Sequence, residues 1–225
     1  MEILLLLRSM DAMKISRTVR FDNPNVTLPK NTPIFRLSKN KKKTKVFLVL
    51  KGFETQGLAS SVSVAEILNQ LPIEHLQGLN EIVCLPNSNK REKAAFRTKK
   101  ISALWNRYFS IFYGIEIYRV KTIKEFYWAL FHELGHYVMD VKIKSVDKKL
   151  WVTSLHKKKS SVSEYANRNA HEDFAETYAC FVLEPERLLQ CDRKRYLYMA
   201  NSVFGTTDIE RSKYNNHKGT LDLTV

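Results

Sequence analysis

From Ile123 onward the chain carries its most regular hydrophobic pattern. Apolar side chains at 123, 127, 130, 134 and 138 mark one face of a helix over about residues 123–140. Phe126, Ala129 and Phe131 widen that stripe, so the helix is expected to be nearly enclosed. A second helix is predicted over about 169–183, with Ala170, Phe174, Tyr178, Phe181 and Val182 inward and Pro185 just past its end. A third follows over about 186–200. Upstream the period changes. Residues 46–50 (VFLVL) and 81–85 (EIVCL) have the length and flanks of buried strands. Residues 108–120 alternate around Gly114, as a long strand or a hairpin bending there. Between the first two strands, Val64, Ile67, Leu68 and Leu71 predict a helix capped by Ser63 and closed before Pro72.

Strands first and helices afterwards predict an α+β domain, a sheet lobe followed by a helical lobe, over residues 46–225. Residues 1–45 read as a basic N-terminal extension in which Pro24, Pro29 and Pro33 impose extended chain. The connection over 141–163 is polar apart from residues such as Trp151, which is expected to pack and pin that loop. With 44% hydrophobic residues the chain can build a proper core.

Charge changes this picture little. The formal net charge is +14, from 37 Lys and Arg against 23 Asp and Glu. It clusters at Lys39–Lys45, at Lys90–Lys100 and at Lys157–Lys159, in segments that read as solvated loops. Nucleic acid is a conceivable partner for such loops and is not favoured, because no aromatic residues alternate with the lysines to stack on bases. Cys84, Cys180 and Cys191 form no close pair, which fits a reducing compartment and buried apolar roles. The apolar run Ile3–Leu7 is too short for a signal peptide, and no stretch reaches the roughly 20 apolar residues of a membrane span. A cytoplasmic location is expected.

The first strong helix contains His132-Glu133-Leu134-Gly135-His136. Residues four apart share a helix face, so both imidazoles can reach one ion, and Glu133 is one step round from them. Two unliganded histidines flanking a glutamate would put three costly polar groups on a buried surface. A catalytic zinc site needs a third protein ligand and an open position. Glu164, Glu172, Glu176, Glu184 and Glu186 all qualify, with Asp140, Asp147 and Asp173 as shorter options. Glu172 and Glu176 lie one turn apart, away from the Phe174, Phe181 and Val182 stripe, so one could bind the metal while the other bonds a ligand histidine. Periodicity leaves open which does which. Met139 and Lys142 stand where a metzincin would have Gly and His, which removes that class.

Residues 163–176, SEYANRNAHEDFAE, resemble the second active-site motif of the anthrax lethal factor-like metallopeptidases. That group includes the Pro-Pro endopeptidases, within the gluzincin zincins. Its pattern is a Tyr, a zinc-binding Glu seven residues on, then Phe-Ala-Glu, and Tyr165, Glu172 and Phe174-Ala175-Glu176 match in register. The resemblance implies a zincin-like fold and one zinc ion per chain held by His132, His136 and Glu172. It also implies Glu176 bonding a ligand histidine, Glu133 as general base and Tyr165 donating to the oxyanion. Asn169 matches too, with no role inferred. The implied function is hydrolysis of a protein or peptide substrate, with the substrate adding to the sheet edge, for which Ile115–Val120 is the candidate strand. Basic loops would then favour acidic flanking residues. Immunity-repressor peptidases of mobile elements are an alternative family, although they lack a Tyr165 equivalent at this spacing. A basic nucleic-acid-binding protein with a structural zinc is another. His75, His156 and His171 are expected at the surface.

Overall fold

The computed structural model describes residues 34–38, 45–102, 109–156, 159–160 and 162–205. Most of the basic cluster at 39–45, Lys157 and Lys158 lie outside the described residues. The chain is α+β and divides into two compact units at Lys142/Ile143.

The first unit is built on a five-stranded mixed sheet. Its strands are β1 (Ile34–Ser38), β2 (Lys45–Lys51), β3 (Leu79–Cys84), β4 (Ala94–Ser102) and β5 (Phe109–Ile117), in the spatial order β1-β2-β3-β5-β4. β2, β3 and β5 run parallel, while β1 and β4 pair antiparallel at the two edges. The apolar run of β2 is explained by its interior position: Leu48 and Leu50 are fully buried and Val49, pointing the other way, nearly so. β1 extends the sheet back to Ile34, inside the stretch that the sequence assigned to the N-terminal extension.

Two other expectations are revised here. The Lys90–Lys100 segment is exposed loop only over residues 90–93, because Ala94–Ser102 is strand β4. Residues 109–117 form one long strand through Gly114, which is the first of the two alternatives that the alternation allowed. The irregularity lies on β3, where the register slips between Leu79 and Glu81 and the Asn80 side chain accepts the Tyr113 N–H at 2.9 Å. Ile115–Ile117 is therefore interior and β4 is the edge beside it.

Helix α1 (Ser61–Leu68) starts one turn earlier than expected. Its cap is Ser60, whose hydroxyl accepts the Ser63 N–H at 3.0 Å. The turn after β2 needs glycine: Gly52 has φ 71°, and a Cβ there would lie 2.2 Å from the Cys84 carbonyl oxygen. Helix α2 (Ile73–Leu76) buries His75 at 4% exposure, so this histidine belongs to the core and not the surface. Helix α3 (Ile123–Tyr137) opens on Thr122, whose hydroxyl accepts the Glu125 N–H, and runs into a π-type turn over Val138–Lys142.

The second unit is helical: α4 (Ser145–Leu150), α5 (Ala170–Leu183), α6 (Pro185–Cys191) and α7 (Arg193–Tyr198), with π-type turns over Trp151–Leu155 and Met199–Val203. The connection expected to be irregular thus carries α4. Trp151 packs as expected: it is fully buried, edge-on to Phe174 at 5.1 Å, and donates its indole N–H to the Ala170 carbonyl at 3.0 Å. The single third helix is broken at Asp192, whose carboxylate caps α7 through the Lys194 and Arg195 N–H groups. Under α5, the carboxylate of Asp173 accepts from the Arg195 guanidinium at 2.8 Å and from His156 Nδ1 at 3.2 Å. His156 is therefore a partly covered core partner. Cys84 and Cys180 are buried, while Cys191 is exposed, against expectation.

Candidate metal centre

α3 places the two histidines. The helix is fixed at its start by Thr122 and by Glu125, which accepts from the Lys121 N–H and from Lys93 Nζ at 2.8 and 2.9 Å. The Lys93 hydrogen bond is the largest influence holding the Glu125 carboxyl below its ordinary value. Further along, Phe126, Leu130, Phe131 and Leu134 are fully buried, which fixes the rotation of the helix about its axis. With that rotation set, His132 and His136 share one face, and their Nε2 atoms lie 3.1 Å apart. His132 is buried and His136 half-buried.

α5 places the carboxylates. Asn169 begins it, its side-chain oxygen accepting the His171 and Glu172 N–H groups at 2.9 and 3.0 Å. Asn169 thus has a role that the sequence motif left open: it sets the main chain at Glu172. Phe174, Ala175 and Tyr178 anchor the inner face. Glu172 is half-buried at the helix start, Glu176 is buried one turn on, and His171 is exposed.

His132, His136 and Glu172 each offer one ligand atom, and these atoms lie within 4.8 Å of one another, a group able to hold a metal ion. The donor set fits zinc. Tetrahedral zinc with bonds of about 2.0–2.1 Å sets its ligand atoms roughly 3.3 Å apart, so the histidine pair already stands at that spacing. Of the other carboxylates considered as third ligand, Glu164, Glu176, Glu184, Glu186, Asp140, Asp147 and Asp173 are not in this group.

Glu133 is buried and takes no part in the group. Its Oε2 accepts the main-chain N–H of Phe96 on β4 at 2.7 Å, a contact with no signal in the sequence. Tyr165 lies in a 3-10 turn over Tyr165–Asn167 and is 41% exposed. The Arg168 guanidinium stands 4.2 Å from the centre of its ring, and Ser163 Oγ accepts the Ala166 N–H to close the turn. Tyr165 is therefore an exposed side chain on a closed turn, with its ring against Arg168. No helix among the described residues is long and apolar enough to cross a membrane.

Comparison of the chain with protein-family models, with curated proteins and with solved structures found no match in any of the three.

Proposed function

We propose that the protein is a zinc-dependent endopeptidase of zincin-like fold. The observation that carries this reading is the grouping of His132, His136 and Glu172 ligand atoms within 4.8 Å, with a buried non-ligand glutamate, Glu133, on the helix of the two histidines. A purely structural metal site would have no use for Glu133, a costly buried acid. Support also comes from the antiparallel edge strand β4, whose main chain touches that acid.

Bound by the two histidines and Glu172, zinc would polarise the scissile carbonyl and make water acidic enough to deprotonate near neutral pH. Glu133 accepts the proton of the attacking water and returns it to the leaving amine nitrogen. The Tyr165 hydroxyl donates to the oxygen that gains negative charge. Glu176 accepts from a ligand histidine and holds its ring in the binding tautomer. The substrate is a protein or peptide in extended form.

The test is to digest a proteome with wild-type protein and with Glu133→Gln, and to compare the new chain termini. Termini produced by wild type and missing with the variant are expected. Identical termini in both would sink the reading.

A further inference from the structure

β4 turns its main-chain groups outward at alternate residues. The Tyr118 N–H donates to the Lys93 carbonyl at 2.7 Å, so Lys93, Ala95 and Arg97 face β5, while Ala94, Phe96 and Thr98 face away from the sheet. Tyr113, opposite Thr98, confirms the alternation from the other strand by sending its N–H away from β4 to Asn80. A peptide pairing along the rim would use Ala94, Phe96 and Thr98, with Phe96 in the middle.

The outward N–H of Phe96 is already engaged by Glu133 Oε2 at 2.7 Å, a length typical of a hydrogen bond to a charged acceptor. The rest of Phe96 is held as well. Its ring stacks on Tyr113 at 6.0 Å and meets Tyr137 edge-on at 5.6 Å, and the Tyr137 hydroxyl donates to the Gln77 carbonyl at 2.6 Å. Strand and helix are thus locked together one residue beyond His136. An N–H has one hydrogen, so the Glu133 carboxylate and the carbonyl of an added strand must compete for it.

We propose that Phe96 is a positioning residue: its N–H holds Glu133 in the peptide-free protein, and an extended peptide pairing along β4 displaces the carboxylate and frees the base. The proposal rests on the hydrolase reading above. It makes full release of the base depend on a strand long enough to reach Phe96. Short peptides bind without claiming the N–H and leave Glu133 tethered.

Two variants separate the N–H from the ring. Phe96→Ala removes the ring and keeps the donor. Phe96→Pro removes both, and proline is tolerated on an edge strand where the N–H points away from the sheet. Each is assayed on a peptide found by proteome digestion and on the same peptide cut to two residues either side of the scissile bond. The expected result is a kcat several-fold higher for Phe96→Pro than for Phe96→Ala on the truncated peptide, with no such gain on the full one. A rise on both lengths, a fall on both or no difference would overturn the proposal. The amide NMR signal of Phe96 reads the bond without turnover: it should shift upfield in Glu133→Ala, and wild type titrated with the full peptide should move it too. A signal indifferent to both changes would show that the tether is absent in solution. Failure of wild type to cleave any peptide, with the amide still responding, would instead count against the hydrolase reading.

Discussion

Arg195 donates to the carboxylate of Asp173 at 2.8 Å, and both side chains are sealed from solvent, at 1% and 0% exposure. The same guanidinium donates to the Leu155 carbonyl at 3.1 Å and to Asp192, the cap of its own helix. One side chain thus ties α5, α7 and the turn after α4. Removing one partner of a buried pair leaves a charge without compensation, which typically costs about 3–5 kcal/mol. Arg195→Met is expected to lower unfolding stability by that order in urea titration, and Arg195→Met with Asp173→Leu to recover a large part. Equal stability of wild type and the single variant would show that the pair contributes nothing.

Metal content tests the ligand set. Protein purified without added metal should carry one zinc per chain, and His132→Ala and Glu172→Ala should each lose most of it, because three protein ligands are the minimum of a catalytic site. Elemental analysis decides. Stoichiometric zinc in either variant would mean that the ligands are misassigned.

Glu133→Gln should retain zinc, since Glu133 is not in the ligand group, and should lose hydrolysis, since an amide cannot accept the proton. Metal analysis and peptide cleavage on one sample give both answers. Loss of zinc along with activity would make Glu133 a structural partner of the site rather than its base.

Tyr165→Phe should lower kcat by roughly 100- to 1,000-fold with little change in KM, the pattern of a donor that acts mainly in the transition state. A mere rise in KM would place the phenol in substrate binding. Arg168 over the ring should matter less, and Arg168→Ala serves as the control for loosening the turn.

Thiol labelling checks the helical unit from another side. Burial pushes the thiols of Cys84 and Cys180 up to about 12, so both stay protonated and shielded at pH 8, whereas Cys191 is exposed. Iodoacetamide on the native protein should modify Cys191 alone, as read by peptide mass mapping. Rapid labelling of Cys180 would show that α5 opens readily.

The histidine half of the candidate metal group was legible because its spacing is local. His132, Glu133 and His136 sit within five positions of one helix, and a 3.6-residue period is enough to place them. Glu172 needed more than periodicity, because several carboxylates had suitable positions and only the resemblance of the surrounding motif chose among them. β4 was missed because an edge strand is apolar on one side only. Ala94 is buried while Thr98 and Lys99 are exposed, so a strand read for continuous hydrophobicity looks like a charged loop. The cap of α1 lies at Ser60 and not at Ser63 because the helix begins with a turn whose Val62 is exposed, upstream of the apolar pattern. The partners Arg195 and Asp173 are separated by 22 positions, and no local pattern announces that a charged residue on a short helix will be sealed.

Apart from the Phe96 N–H that Glu133 occupies, the rim of β4 would be a template for other copies of the chain, as any sheet edge is for extended backbone. Two copies meeting rim to rim would bring Arg97 and Lys99 of one against the same residues of the other, on molecules that each carry +14. Like charges facing across paired strands oppose the match, whereas an acidic or neutral segment meets no such barrier. Lysines on an edge strand are one way in which proteins keep a sheet rim from pairing with copies of itself, and the exposed Lys99 is placed to act so. Salt shortens the reach of that repulsion to about 3 Å at 1 M, so light scattering should show the protein beginning to self-associate as ionic strength rises.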